Sequence, residues 1–192
     1  MTIAVDAPMT SRDFLAFVDA HPHEKWELID GRPVAMGGAW LRHALLGGNI
    51  AEALGPLARA QGCRVLRDMF LRAAANDGQI FDPDVMIRCG PIADQRTRIL
   101  DDAAAVFEVL SPSTMAYDRG VKLEAYLATP SRRQAVIVYP GGVRGAAWRR
   151  DEGGAWAEGP LVLKSLEAAL PVPAIEAVLP LHTIYEGVTL DG

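Results

Sequence analysis

Apolar residues recur along this chain in two rhythms. Leu41, Leu45, Gly48, Ala51, Leu54 and Ala58 fall three or four apart. That spacing keeps small and apolar side chains on one helical face, and it predicts a helix over residues 41–60, stopped by Gln61-Gly62. A shorter helix is expected over residues 10–20, capped by Thr10 or Ser11 and carrying Phe14, Leu15, Phe17 and Val18. Elsewhere the rhythm is that of strands. Trp26-Glu27-Leu28-Ile29 and Arg32-Pro33-Val34-Ala35-Met36 flank Asp30-Gly31, a turn pair that signals a hairpin between apolar runs. Residues 63–73 read as a strand, Asn76-Asp77-Gly78 as a turn and residues 79–88 as a second strand. Residues 89–102 form a polar connection and residues 103–110 a third strand.

In that third strand Val106, Glu108 and Leu110 share one face, with Phe107 and Val109 on the other. A turn at residues 111–113, a helix over 118–128 and a fourth strand over 134–139 follow. The order is helix, three-strand meander, helix, strand. A connection of about two dozen residues with a helix inside makes the fourth strand parallel to the third. Residues 146–148 and 155–157 suggest a further hairpin, and residues 171–190, with their prolines, an edge segment. The fold class expected is α/β, with a mixed central sheet and extra C-terminal strands, in a single domain over residues 1–192.

Composition narrows the function. The chain has 192 residues, half of them hydrophobic, and a net charge of −5. That acidity disfavours a broad nonspecific nucleic-acid surface but leaves room for a local basic groove. No run of eighteen apolar residues suggests a membrane span, and residues 1–11 lack the pattern of a secretory signal. Cys63 and Cys89 have neither zinc-site nor CxxC spacing, so two reduced thiols in a cytoplasmic protein are expected. Of the 19 basic residues only Lys25, Lys122 and Lys164 are lysine, which adds weight to a lysine at a chemically suggestive place.

Residues 82–122 carry the candidate chemistry. Asp82, Asp84 and Glu108 lie inside apolar, strand-forming runs, and a buried carboxylate is costly unless paired, hydrogen-bonded or metal-bound. Pro83 cannot donate to a sheet ladder, so a kink there would re-aim Asp84. Asp84 and Glu108 fall on neighbouring strands, where two ionised carboxylates repel unless a cation separates them. Mg²⁺ takes one or two carboxylates and fills the rest of its shell with water and phosphate oxygens. Each residue also has a plainer reading. Asp84 serves as a strand-end residue, Glu108 as a buried ion-pair partner, and Lys122 as the surface partner of Asp118 four positions earlier. Tyr126, on the face of Lys122, reads as core.

Pro83-Asp84, then Glu108, then a lysine, in a helix, three-strand, helix, strand core, resembles the PD-(D/E)XK nuclease superfamily. The fit is closest to its Uma-two branch of restriction-endonuclease-like proteins. The landmarks are the Trp26–Gly31 run, His43 opening a helix, Pro83-Asp84-Val85, the run from Glu108 to Thr114 (Glu-Val-Leu-Ser-Pro-Ser-Thr), Asp118, Lys122 and Tyr126. In the superfamily a lysine stands two residues after the glutamate. Here that place is Leu110, and the resemblance implies that the lysine has moved to the next helix as Lys122. The implied activity is Mg²⁺- or Mn²⁺-dependent hydrolysis of DNA phosphodiester bonds, an endodeoxyribonuclease. Asp84, Glu108 and the Val109 carbonyl would hold the metal, and Lys122 would assist the attacking water. Glu27 is a further candidate near the metal, or a partner of Lys25 or an arginine. His43 is a candidate phosphate contact or partner of Glu27. Ser111, Ser113 and Thr114 would shape the turn and cap the next helix. Arg64, Arg67, Arg72, Arg119, Arg132 and Arg133 are the candidates for a DNA groove. A homodimer would give one site per strand. The other reading is a catalytically silent nuclease fold used for DNA binding or assembly, which the net acidity and Leu110 favour.

Overall fold

The structure, a computed structural model, describes residues 7–38, 40–73, 77–111 and 118–190, with Asp118 and Arg119 as backbone only. Helix α1 (Ser11–Ala20) opens with a reciprocal cap: the Thr10 hydroxyl accepts from the Asp13 N–H while the Asp13 carboxylate accepts from the Thr10 N–H. Strands β1 (Trp26–Ile29) and β2 (Arg32–Ala35) pair across Asp30-Gly31. Both turn residues have positive φ, 48° and 74°, the conformation a two-residue hairpin requires. Helix α2 (Leu41–Ala60) matches its predicted bounds, and Gly62, at φ 68°, reverses the chain behind it.

Two of the expected strands prove to be four. Residues 63–73 divide into β3 (Cys63–Leu66) and β4 (Phe70–Arg72), with Asp68 at φ 51° between them. Residues 79–88 divide into β5 (Ile80–Phe81) and β6 (Val85–Cys89), either side of Asp82-Pro83-Asp84. Left-handed backbone at Asp68 and the missing N–H of Pro83 interrupt both ladders. Each run therefore crosses between two sheets. β4 and β5 join β1, β2 and the short β7 (Ile99–Leu100), which lies inside the expected polar connection. β3 and β6 join β8 (Ala105–Val109) in the larger sheet.

That larger sheet has the order β11-β10-β9-β8-β6-β3 among the described residues. β3, β6 and β8 form the antiparallel meander, and β9 (Gln134–Val138) runs parallel to β8 as the connection length requires. The helix between them starts as a π turn over Asp118–Lys122 and continues as α3 (Leu123–Ala128). The turn expected at 111–113 lies beyond Ser111 outside the described residues, as do the capping roles of Ser113 and Thr114.

The sheet is covered on both faces. Leu46, Ile50, Leu54 and Ala58 of α2 pack on Val85, Ile87, Phe107 and Val109. Leu123 and Tyr126 of α3 pack on Met86, Val106 and Ile137. Each fully buried large aliphatic side chain contributes about 1.5–3 kcal/mol, which fixes both helices against β8. Beyond β9 the partner of β10 (Gly145–Arg149) is β11 (Leu161–Leu163), and residues 155–157 contribute only the bridge between Arg150 and Trp156. The proline-rich end is a hairpin of β12 (Ala169–Val172) and β13 (Ala177–Pro180) followed by the short helix α4 (Leu181–Ile184). Leu170, Leu179 and Ile184 share the core with α2, so this segment is a buried cover and not an edge. Among the described residues no helix is long and apolar enough to cross a membrane.

The two cysteines are not reduced thiols. Cys63 on β3 faces Cys89 on β6 in register, and they form a disulfide. Spacing in the chain carries no trace of this, because the partners meet only once the strands pair. Alkylating the denatured chain without reductant is expected to label neither cysteine, and mass spectrometry should find both labelled after reduction. Labelling without reductant would return the pair to free thiols.

Candidate active site

The break at Pro83 places Asp84 at the mouth of the meander. Val85 pairs with Phe107 across β6 and β8, so Asp84 continues the register opposite Glu108. Asp84 Oδ2 accepts a hydrogen bond from the Val109 N–H at 2.7 Å and lies 3.3 Å from Nε2 of His43, in the first turn of α2. Arg67, in the crossing between β3 and β4, donates to the Asp84 carbonyl at 3.3 Å. A strand, a helix and a crossing segment thus orient this carboxylate.

Glu108 is buried on the α3 face of β8. Its Oε1 accepts from the Tyr126 hydroxyl at 2.6 Å and pairs with Lys122 Nζ at 2.8 Å. The same ammonium pairs with Glu27 Oε1 at 2.9 Å, and that oxygen also accepts the Asp82 N–H at 2.8 Å. Glu27 is 0% exposed and Lys122 1%. The π turn ends at Lys122, and Tyr126 follows one helical turn later on the same face. Both polar groups therefore reach β8 together. Burial pushes the Tyr126 phenol well above its ordinary range, and the Glu108 charge pushes it further. The phenol stays protonated and donates to Glu108. Lys122 Nζ also lies 5.7 Å from the centre of the Phe81 ring.

His43, Asp84, Glu108, Val109 and Lys122 line one cleft of about 430 Å³. At its rim Lys25 pairs with Asp68 at 2.7 Å and with Asp82 at 3.5 Å. Among the described residues no group of three or more His, Cys, Asp or Glu side chains is arranged to hold a metal. The donor set nevertheless suits a hard divalent cation. Glu27 and Glu108 share the one Lys122 ammonium, and Asp84 adds a third carboxylate to the neighbourhood, which leaves surplus negative charge there. Two of them flank Val109, and Mg²⁺ needs no more than two carboxylates when water and phosphate complete its shell.

The site residues expected from sequence fall as follows. Asp84, Glu108, Val109, Lys122 and His43 border the same cleft. Burial rules out Lys122 as a surface partner of Asp118. Glu27 takes Lys122 as its cation, not Lys25, which turns to Asp68 and Asp82. His43 has Asp84 as its carboxylate partner. Of the arginines, Arg67 reaches the cleft. Arg132 is 0% exposed, donates to the Ala103 carbonyl, and burial pushes it down to about 10, so it cannot line a DNA groove. Arg72 is held by Asp77 and Asp101, and the Arg119 side chain lies outside the described residues. Sequence reasoning missed the part played by Tyr126, although its place four residues after Lys122 was the available signal. Tyr126→Phe is expected to cost about 1.5–3 kcal/mol, the loss of a hydrogen bond to a charged acceptor, measured by urea unfolding.

A mixed sheet flanked by helices, with carboxylates opposed across its central strands and a lysine delivered from the next helix, defines a restriction-endonuclease-like fold. The chain belongs to the Uma2 family, described as "Putative restriction endonuclease", whose model matches residues 12–181. The crystal structure of a "putative nuclease belonging to DUF820" from Anabaena variabilis superposes with a TM-score of 0.77, covering 95% of this chain and all of that one at 14% identity. An uncharacterised protein of Synechocystis, slr1290, is 28% identical over 158 residues, 79% of this chain and 83% of its own length.

Proposed function

We propose that this chain is a divalent-metal-dependent endonuclease that hydrolyses DNA phosphodiester bonds. The observation that carries the reading is the Lys122 ammonium, buried between Glu27 and Glu108 on the floor of the cleft that Asp84 also faces. A structural ion pair needs one carboxylate; here a single buried cation pairs with two, Glu27 and Glu108, beside an open cleft that a third, Asp84, also lines. The family description and the nuclease-like neighbour point the same way.

In this reading Asp84, Glu108 and the Val109 carbonyl hold Mg²⁺ or Mn²⁺. Once bound, the ion supplies Lewis-acid polarisation of the phosphate and acidifies a bound water. The protein's own groups do the rest. His43 and the Val109 N–H fix the Asp84 carboxylate. Tyr126 fixes Glu108 by donating to it. Glu27 holds Lys122 at the cleft, where its positive charge steadies the attacking water and the charge that grows on the phosphate. We read residues 1–192 as one domain acting on DNA, with a homodimer providing a site for each strand.

The test is a cleavage assay with Mg²⁺ and with Mn²⁺ over single-stranded, duplex and branched DNA, paired with calorimetric titration of Mn²⁺ in the absence of DNA. Cleavage and metal binding are expected together. Neither on any DNA, with no binding at millimolar metal, would leave the fold as a binding or assembly module.

A further inference from the structure

A second cavity, of about 540 Å³, opens beside the carboxylate cleft and shares His43 and Ser111 with it. Its chemistry is the reverse of its neighbour's. Its cations are Arg42, Arg144 and Lys164, and among the described residues no carboxylate lines it. Its flat surfaces are Trp40 and Tyr139. Trp40, just ahead of α2, is 60% exposed and followed by Leu41 at 76%. A large aromatic side chain this exposed at the lip of a cavity, as Trp40 is, is suited to covering a ligand.

The opposite wall is built, not loose. The Arg144 guanidinium lies 4.5 Å from the centre of the Tyr139 ring. The turn from Tyr139 to Arg144 is held from behind by the Tyr185 hydroxyl, which accepts from the Arg144 N–H at 3.1 Å. It is within hydrogen-bond reach of the Tyr139 and Gly142 carbonyls, at 2.7 and 3.1 Å. Aromatic faces beside fixed cations are the pairing that proteins use for unpaired nucleotides: the base stacks and the backbone phosphate meets the charge. A base inside a duplex stack cannot enter such a cavity, so the strand must be single or the nucleotide extruded.

We propose that this cavity receives an unpaired nucleobase from the strand whose phosphate lies over the carboxylates, and that the preferred substrate is single-stranded DNA or DNA with an unpaired nucleotide beside the cut. The proposal rests on the nuclease reading and names the substrate class of that site. The charge division supports it. A phosphate approaching Asp84 and Glu108 is repelled, whereas its neighbour in the strand meets Arg42, Arg144 and Lys164. A volume of this size lies within the roughly 300–1,000 Å³ usual for ligand cavities.

The test is fluorescence anisotropy in metal-free buffer with EDTA, which separates binding from cleavage. The probes are a 15-nucleotide oligothymidine, a duplex of equal length, and that duplex with one unpaired nucleotide. The single strand and the bulged duplex are expected to bind about tenfold or more tighter than the perfect duplex, the scale of one lost stacking contact. Trp40→Ala should remove roughly that factor for the first two probes and leave the perfect duplex unchanged. Because Trp40 is exposed, this variant should fold, and its melting temperature checks that. Glu108→Gln should keep the preference even where it abolishes cleavage. Equal affinity for all three probes, an equal loss on all three in Trp40→Ala, or no binding to any of them overturns the proposal. Cleavage with no preference removes the cavity's role alone. Preference without cleavage in the unaltered protein removes the nuclease reading and leaves the cavity standing.

Discussion

Lys122→Ala is expected to lose stability and turnover together, and the two losses have different origins. Removing the ammonium leaves Glu27 and Glu108 buried with the cation between them gone. Breaking a buried pair by deleting one partner costs about 3–5 kcal/mol, because the remaining charge stays desolvated. In a chain of this size that is a fall in melting temperature of roughly 6–20 °C. Turnover is expected to drop about 100-fold or more at a temperature where the variant is folded, the scale for losing a positioned charge at the reacting phosphate. A merely surface lysine would lose a few tenths of a kcal/mol and no activity. The double change Lys122→Met with Glu27→Gln separates the two effects. It removes a positive and a negative charge together and fills the space, so most of the melting temperature should return while cleavage stays low. Recovery of both would make Lys122 a structural counterion only. Full activity in the folded single variant would remove the lysine from the mechanism altogether.

Most of the scaffold was legible along the chain because its signals are local. Thr10 caps, Asp30-Gly31 turns, and the spacing from Leu41 to Ala58 writes a helix whatever the rest of the fold does. The parallel placement of β9 followed from connection length alone. What escaped was long-range. Residues 63–73 look like one strand by apolar content, yet positive φ at Asp68 divides them between two sheets, and nothing in the residue pattern says which sheet each half joins. The Cys63–Cys89 disulfide depends on strand register, which the sequence does not print. The proline-rich tail reads as an edge because prolines break ladders, yet Leu170, Leu179 and Ile184 are buried against α2.

The site shows the same division. Asp84 and Glu108 could be placed opposite one another from strand phase, and Pro83 re-aims Asp84 as its missing N–H suggests. The partners of Glu27 and Lys122 could not be read, since 95 residues separate them. Their pairing arises only when β1 packs against the helix after β8. Arg132 escapes for a similar reason: an arginine next to Arg133 looks like a surface pair until the fold buries it behind Tyr126.

Asp84→Asn and Glu108→Gln are each expected to reduce cleavage by about 10²–10³-fold or more, the loss typical of removing one electrostatic anchor of a transition state. Their effects on the fold should differ, and that difference tests the arrangement. Asp84 Oδ2 accepts from the Val109 N–H, a task an amide oxygen performs equally well, and removing its charge relieves repulsion near Glu108. Metal-free Asp84→Asn should therefore melt within a few degrees of the unaltered protein. Glu108 Oε1 accepts from Tyr126 and carries half of the charge facing Lys122. A glutamine keeps the first contact and weakens the second, so metal-free Glu108→Gln should cost about 1–3 kcal/mol. Both should abolish the heat of Mn²⁺ binding, which Lys122→Met with Glu27→Gln should leave in place, because neither Glu27 nor Lys122 is among the proposed ligands. Retained Mn²⁺ binding in Asp84→Asn or Glu108→Gln would move the metal away from these carboxylates. A sharp fall in the melting temperature of Asp84→Asn would make that residue a structural partner of His43 and the β8 backbone, and the cleft would lose its catalytic carboxylate.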